Sequence, residues 1–320
     1  MTLDRATVWP YDAEGRVGDF FYQRYAHPTG AAAEAQLGAL DGGEALLFGS
    51  GTAAVTACVF ALTKPGSTIA LARGAYFGTG VAFSEFSAWG LEVVEFDQTG
   101  SPPEGADVVW LESPSNPLLT VPDWEAVRRH PGLVVCDATA STPVFLRALD
   151  EGAKVALYSA TKFLTGHHDA MLGAIVTRDQ QLHARLREVR SHLGLSASPD
   201  AALSLVKGLK SLELRMQRST ETARMLAARL GEHPAVQVVR YPGFGGLISF
   251  DVAGDPVPVE TATRLIANQT SLGGVTSSME SRYRWEGDRI PVGLLRLSVG
   301  LEDADALWVD LEQALANASR

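Results

Sequence analysis

The chain has 320 residues, 46% of them hydrophobic and 20% charged, with a net charge of -10. This is the composition of an ordinary soluble globular protein with room for one large domain or two smaller ones. The acidic balance excludes a polybasic surface for nucleic acid or anionic membrane, and no apolar run is long enough to span a bilayer.

The opening stretch lacks the basic-then-apolar pattern of a signal peptide. The two cysteines, Cys58 and Cys136, sit far apart inside apolar runs. Together these features predict a cytoplasmic protein with reduced, buried thiols.

Residues 1–30 show little periodicity and are expected to form an N-terminal arm. Short β-rich runs then follow at 45–48, 68–72, 92–96, 107–111, 133–137, 155–158 and 173–177. Helical stretches such as 52–62 and 180–193 lie between some of them. Apolar strands alternating with helices predict an α/β domain with a mostly parallel sheet, assigned to residues 31–197. Beyond it the pattern predicts a long helix from 200 towards 230, strands at 236–240 and 247–252, and a helix near 260–268. A strand at 294–299 and a last helix at 303–316 complete a smaller α+β domain over 198–320. No internal repeat or low-complexity segment interrupts the chain.

In an open α/β sheet, ligands bind at the carboxyl ends of the strands. Several reactive side chains fall there. Lys162 follows a buried strand in the run Ser159-Ala160-Thr161-Lys162. A lysine amine can form a Schiff base with an aldehyde, and nearby hydroxyls can hold a phosphate on the same molecule. On its own the run fits a solvated lysine at a strand end equally well. Asp137 ends Leu-Val-Val-Cys-Asp. A carboxylate there must be paired or hydrogen-bonded, and the protonated ring nitrogen of pyridoxal phosphate (PLP) is one suitable partner; a salt bridge is another. Gly49, Ser50, Gly51 and Thr52 lie between a strand and a helix, where free N–H groups and the helix dipole favour a phosphate, although a plain turn has the same look. Tyr76 could stack on a flat ring or simply pack. Arg296, among apolar neighbours on a strand, suits a bidentate substrate carboxylate or an edge-strand surface.

Longer segments carry a resemblance. Tyr-Gln-Arg-Tyr-Ala-His-Pro-Thr from Tyr22, Leu-Glu-Ser-Pro-Ser-Asn-Pro from Leu111 and Ser-Ala-Thr-Lys-Phe-Leu-Thr-Gly-His from Ser159 are three of them. Gly-Leu-Lys-Ser-Leu-Glu-Leu-Arg-Met from Gly208, Ser-Leu-Gly-Gly-Val from Ser271 and Gly-Leu-Leu-Arg-Leu-Ser-Val-Gly from Gly293 are three more. In content and order the chain resembles the Cys/Met-metabolism PLP enzymes, the group of cystathionine gamma-synthase, cystathionine gamma-lyase, cystathionine beta-lyase and methionine gamma-lyase. The resemblance implies a PLP-dependent fold of the aspartate-aminotransferase type (fold type I). It implies that Lys162 is the Schiff-base lysine and proton shuttle, that Asp137 pairs with the ring nitrogen, that Tyr76 stacks on the ring and that Asn116 contacts its hydroxyl. Gly51, Thr52, Ser159 and Thr161 are implied as phosphate contacts, and Ser271 and Arg296 as substrate contacts, with Arg296 on the carboxylate. Tyr22 and Arg24 match a Tyr-x-Arg that reaches the phosphate of a neighbouring subunit, which implies a homodimer or homotetramer with shared sites and a small amino-acid substrate. No metal is implied.

The resemblance also has gaps. The family's Asp-Asn-Thr stands here as Asp137-Ala138-Thr139, its Asn-Pro-Thr as His27-Pro28-Thr29, and its Glu-Ser after the glycine pair as Thr276-Ser277. Gly78 occupies the place where methionine gamma-lyase has a cysteine. The segment from Met279 departs from the family's usual run, leaving Arg282, Arg284 and Trp285 to shape the pocket mouth or to lie on an exposed loop. The expected reaction is γ-elimination or γ-replacement on cystathionine or an activated homoserine. A β-eliminating lyase and a non-catalytic PLP-fold protein are the alternatives.

Overall fold

The computed structural model describes residues 3–316. The ends of the expected arm and of the expected C-terminal part, residues 1–2 and 317–320, lie outside them. In chain order the first elements are α1 (Pro28–Asp41), β1 (Glu44–Phe48), α2 (Gly51–Leu62), β2 (Thr68–Ala72), α3 (Phe77–Ser87) and β3 (Glu92–Phe96). Next come β4 (Val108–Glu112), α4 (Trp124–Arg129), β5 (Leu133–Asp137), α5 (Thr142–Phe145), β6 (Val155–Tyr158), β7 (Gly173–Thr177) and α6 (Gln180–His192). These strands build one seven-stranded sheet in the order β1-β7-β6-β5-β4-β2-β3. The pairs from β3 through β6 are parallel, and β7 runs antiparallel to both of its neighbours.

The sheet is covered on both faces, and β4 shows how. Val109 and Leu111 point into one apolar cluster, while Val108 and Trp110 point into another. Alternate side chains face opposite sides of a strand, so a run without polar interruption is what a doubly covered sheet requires.

The second half comprises α7 (Pro199–Leu209), α8 (Leu212–Glu232), β8 (Val236–Arg240), β9 (Leu247–Val252), α9 (Val257–Glu260) and β10 (Ala267–Asn268). It continues with β11 (Ser278–Ser281), α10 (Tyr283–Glu286), β12 (Leu294–Ser298) and α11 (Ala304–Leu315). Its five strands form a separate sheet in the order β10-β11-β12-β9-β8. Residues of α8 and α11 pack on this sheet through Leu226, Leu230, Leu307 and Leu311.

Two expectations are corrected here. The long helix from 200 towards 230 is two helices, α7 and α8, broken at Lys210 and Ser211. A Cβ on Gly208 would stand 2.3 Å from the Leu164 carbonyl oxygen, so only glycine lets α7 come this close to the segment after Lys162. Arg215 of α8 then donates to the carbonyls of Phe163 at 2.7 Å and Gly208 at 2.8 Å, tying the break to the segment after Lys162. The helix expected near 260–268 is a single turn, α9, followed by irregular chain and the short strand β10. Asp310 explains the difference: its carboxylate accepts from the backbone N–H groups of Arg264, Leu265 and Ile266 at 2.8–3.1 Å, which a continuing helix would need for itself.

Candidate active site

The carboxyl ends of β4, β5 and β6 and the start of α2 open into one cavity of about 410 Å³. Its far wall comes from the second half of the chain, through Thr270 and Ser271 between β10 and β11, Arg282 and Trp285 at α10, and Arg296 on β12. The size suits a small ligand. Gly51, Thr52, Tyr76, Asn116, Asp137, Ser159, Thr161, Lys162, Ser271 and Arg296 all line this cavity. Tyr22 and Arg24 do not. Arg24 donates to the Ser191 carbonyl, and its guanidinium lies 4.7 Å from the centre of the Tyr25 ring.

Asp137 is the last residue of β5 and is buried. Both of its hydrogen bonds fall on one oxygen: Oδ1 accepts from the Thr139 N–H at 3.0 Å and from its hydroxyl at 2.5 Å. Burial pushes this carboxyl up to about 6, against the opposing pull of the Thr139 hydrogen bonds. A carboxylate in this state lacks a cation. The protonated nitrogen of a pyridine ring supplies one, so Asp137 fits the cofactor. Thr139 Oγ1 also accepts from the Ser159 N–H at 2.8 Å, tying the end of β5 to the end of β6.

The phosphate end fits as well. Ser50 caps α2, its hydroxyl accepting from the Ala53 N–H at 3.0 Å, which leaves Gly51 and Thr52 at the helix start facing the cavity. A Cβ on Gly51 would stand 3.0 Å from the Ser159 side chain and narrow the space between them. Thr161 is more engaged than its place in the sequence suggests. Its hydroxyl accepts from the Leu172 N–H at 2.7 Å and donates to the Leu172 carbonyl at 3.2 Å.

Lys162 is half-buried, and its Nζ donates to Ser271 Oγ at 2.7 Å. Burial lowers its amine to about 8, with Arg296 and Arg282 adding to the effect and Glu280 opposing it. An amine in that range is available unprotonated near neutral pH, as a nucleophile or base must be. Ser271 adopts φ 87, the left-handed region, which costs a non-glycine residue about 1–3 kcal/mol. In that conformation its carbonyl accepts from Arg296 Nη2 at 2.7 Å while its hydroxyl holds Lys162. One strained serine therefore joins the amine to the guanidinium.

Arg296 is buried on β12, and burial lowers its guanidinium to about 10, with neighbouring Arg282 adding to the effect. Nη1 donates to Asn116 Oδ1 at 3.0 Å and Nη2 to Glu280 Oε1 at 2.6 Å, while Nε has no partner. A buried donor without an acceptor invites a ligand oxygen.

Several residues at the site went unassigned in the sequence reading. Glu112 lies at the end of β4, one position beyond the predicted strand, and accepts from the Tyr76 N–H. Burial, and then nearby Asp137, holds its carboxyl well above the usual range. Glu280 sits on β11, a strand that was not predicted, and supports both Arg296 and Arg282. Arg282, a candidate for the pocket mouth, is buried, and Trp285 stands at the mouth half exposed. Arg284 turns away from the cavity to pair with Glu260. Arg215, in the run from Gly208, braces the segment that carries Lys162 through its contacts with the Phe163 and Leu164 carbonyls.

The sequence profile of the family described as "Cys/Met metabolism PLP-dependent enzyme" matches residues 2–316. Cystathionine gamma-lyase of Bacillus subtilis is 34% identical, over 99% of this chain and 94% of its own. L-methionine gamma-lyase of Streptomyces avermitilis is 36% identical, over 97% of this chain and 79% of its own. The crystal structure of cystathionine gamma synthase from Xanthomonas oryzae in complex with aminoacrylate and cysteine superposes with a TM-score of 0.93 at 28% identity, over 99% of this chain and 93% of that one.

Proposed function

The chain belongs to the Cys/Met metabolism PLP-dependent enzyme family, and from that premise we propose that it catalyses γ-elimination or γ-replacement on an amino acid with a leaving group at Cγ, cystathionine and activated homoserines being the candidates. The observation that carries the reading is the chain of contacts from Lys162 through Ser271 to Arg296 in one cavity. It sets a base and a carboxylate clamp on the same substrate.

When bound, pyridoxal phosphate supplies an aldehyde carbon for amines and a protonated ring that accepts electrons as the substrate's Cα–H bond breaks. Gly51, Thr52 and Ser159 would hold its phosphate, Thr161 would lend what its bonds to Leu172 leave free, Asn116 would meet the ring hydroxyl, and Tyr76 would pack against the ring. Asp137 would keep the proton on the ring nitrogen. Arg296 would take the substrate carboxylate through Nε, the guanidinium nitrogen that has no partner. With the carboxylate fixed beside it, Lys162, whose amine burial lowers to about 8, would be the base for the Cα proton. Ser271 keeps that amine beside the clamp. Lys162, once it has handed on the first proton, would also be the base for a proton from Cβ as the Cγ substituent leaves with its bonding electrons. Water then gives a 2-oxo acid and ammonia, or a thiol takes the vacated position.

Tyr22 and Arg24 match the family's Tyr-x-Arg yet lie outside the cavity of their own chain, which supports a homodimer or homotetramer in which they serve a neighbour's phosphate. The two buried free thiols support a cytoplasmic setting.

The test is to load the purified protein with PLP and follow its visible spectrum on adding L-cystathionine, and separately O-succinyl-L-homoserine with cysteine. A band that changes while 2-oxobutyrate or cystathionine accumulates supports the reading. Cleavage of cystathionine on the β side, yielding homocysteine, pyruvate and ammonia, would replace it with the β-eliminating alternative.

A further inference from the structure

Among the described residues, five buried side-chain atoms have no hydrogen-bond partner. Two of them belong to residues that line the cavity, and both are arginine Nε atoms: that of Arg296, assigned above to the substrate carboxylate, and that of Arg282. Arg282 is only 2% exposed. Its Nη1 donates to Glu280 Oε1 and its Nη2 to Glu286 Oε1, both at 2.9 Å. Its guanidinium carbon lies over the Phe77 ring, 5.7 Å from the centre, and Phe77 lines the cavity too. A ring packed on a guanidinium covers a face, whereas the N–H groups donate in the plane. What remains of Arg282 is one donor with no acceptor in the protein, on a group that keeps its charge at neutral pH. A ligand oxygen satisfies such a donor.

The charges around this donor favour an anion. Arg282 and Arg296 share one acceptor, since Glu280 Oε1 takes Arg296 Nη2 at 2.6 Å as well as Arg282 Nη1. The other oxygen of Glu280 accepts from the Trp285 indole at 3.1 Å. Lys162 adds a further cationic group, and both guanidiniums push its amine down. Because the two arginines meet at one oxygen, their free Nε donors belong to one wall, and a single molecule with two carboxylates can use both. Arg282 is also this chain's own feature, lying in the segment from Met279 that departs from the family's usual run.

We propose that Arg282 is a second anion-binding residue of the cavity, determining specificity by taking a carboxylate that the substrate carries beyond Cγ. The proposal rests on the reading above that Arg296 holds the amino-acid carboxylate, and it deepens that reading. Among amino acids with a leaving group at Cγ, those whose leaving group bears a carboxylate, as in cystathionine and O-succinyl-L-homoserine, are preferred over those with a neutral one.

The test measures binding to the PLP-loaded enzyme by equilibrium dialysis. The probes are L-2-aminoadipate and L-2-aminopimelate, which end in a carboxylate at two chain lengths, each beside its ω-amide, and L-alanine, which has no tail. None has a leaving group, so binding is read apart from turnover. At one or both lengths the carboxylate is expected to bind at least about 10-fold tighter than the amide, the order expected when a charge-assisted hydrogen bond replaces a neutral one. Arg282→Gln is combined with Glu286→Gln, so that Glu286 is not left without its counter-ion. In that double variant the carboxylate should come within about 3-fold of the amide, and alanine should stay within about 3-fold of its affinity for the unaltered enzyme. Amides that bind as tightly as carboxylates at both lengths overturn the proposal, as does a carboxylate preference that survives in the double variant. So does an equal loss of alanine and the tailed carboxylates, which would mean that Arg282 acts only through Glu280 and Arg296. Arg296→Ala separates the proposal from the reading beneath it. If alanine weakens there while the unaltered enzyme shows no preference for carboxylate tails, the proposal alone fails. Alanine binding unchanged in Arg296→Ala would remove the carboxylate clamp and the proposal with it.

Discussion

The two walls of the cavity are built on different principles. The wall from the seven-stranded sheet presents Asp137, Ser159 and Lys162 at strand ends, each placed by the short loop that follows its own strand. The wall from the five-stranded sheet presents Ser271, Arg282 and Arg296, and these are held by one another through Glu280 and a left-handed serine. The first wall follows from topology, because parallel strands deliver their loops to one edge. The second is a charge network whose geometry depends on every member. Substitutions on the first wall should therefore remove single chemical roles, whereas those on the second should spread through their neighbours.

The largest expected effect is on the first wall. Lys162→Ala should reduce turnover by at least about 100- to 10,000-fold, the range for a positioned base, with 2-oxo acid release as the assay. Normal turnover in that variant would dismiss Lys162 from the chemistry. On the second wall, Arg296→Ala should cost about 10–100-fold in kcat/KM, corresponding to roughly 1.4 kcal/mol per decade. It should also leave Glu280 and the Asn116 side chain short of a donor, so its stability should fall together with its activity. A loss of activity with unchanged thermal stability would break the contrast between the walls.

A smaller effect separates the cofactor-free and loaded forms. Burial raises the Asp137 carboxyl to about 6, so the native cofactor-free protein binds a proton that the unfolded chain has released above about 4. Its stability should fall as pH rises between those values. A bound cation on the ring nitrogen should remove that slope, and urea denaturation at a series of pH values with and without PLP would show it. A slope that is the same in both forms would mean that Asp137 does not meet the ring. The smallest effect belongs to Glu112, whose carboxyl burial holds well above the usual range. Glu112→Gln keeps an acceptor for the Tyr76 N–H and should change kcat/KM by less than about 3-fold, under 1 kcal/mol.

The same contrast explains what could be read from the sequence. The cofactor wall was legible because apolar strand runs announce themselves and their last residues are countable: Asp137 and Lys162 stand where the pattern put them. Ending β4 one residue early was enough to hide Glu112. Across the second wall, Arg296 stood out among the apolar neighbours of its strand and Ser271 through the resemblance, but Glu280 did not, since β11 is four residues long and carries Ser-Met-Glu-Ser, with little apolar alternation. Arg282 stayed open between the pocket mouth and an exposed loop, because its burial depends on contacts such as that with Phe77, distant in sequence. The break between α7 and α8 and the lost helix near 260–268 have the same origin: contacts with the Leu164 segment and with Asp310, both distant in sequence, overrule local helical preference.

The central claim is that Lys162 carries the cofactor. Reduction of the PLP-loaded protein with borohydride fixes the cofactor to whichever amine holds it, and peptide mapping by mass spectrometry locates it. The account predicts the pyridoxyl mass on the peptide containing Lys162 and its absence from the protein carrying Lys162→Ala. A modified lysine elsewhere, or no modification in a protein that binds PLP, would contradict it.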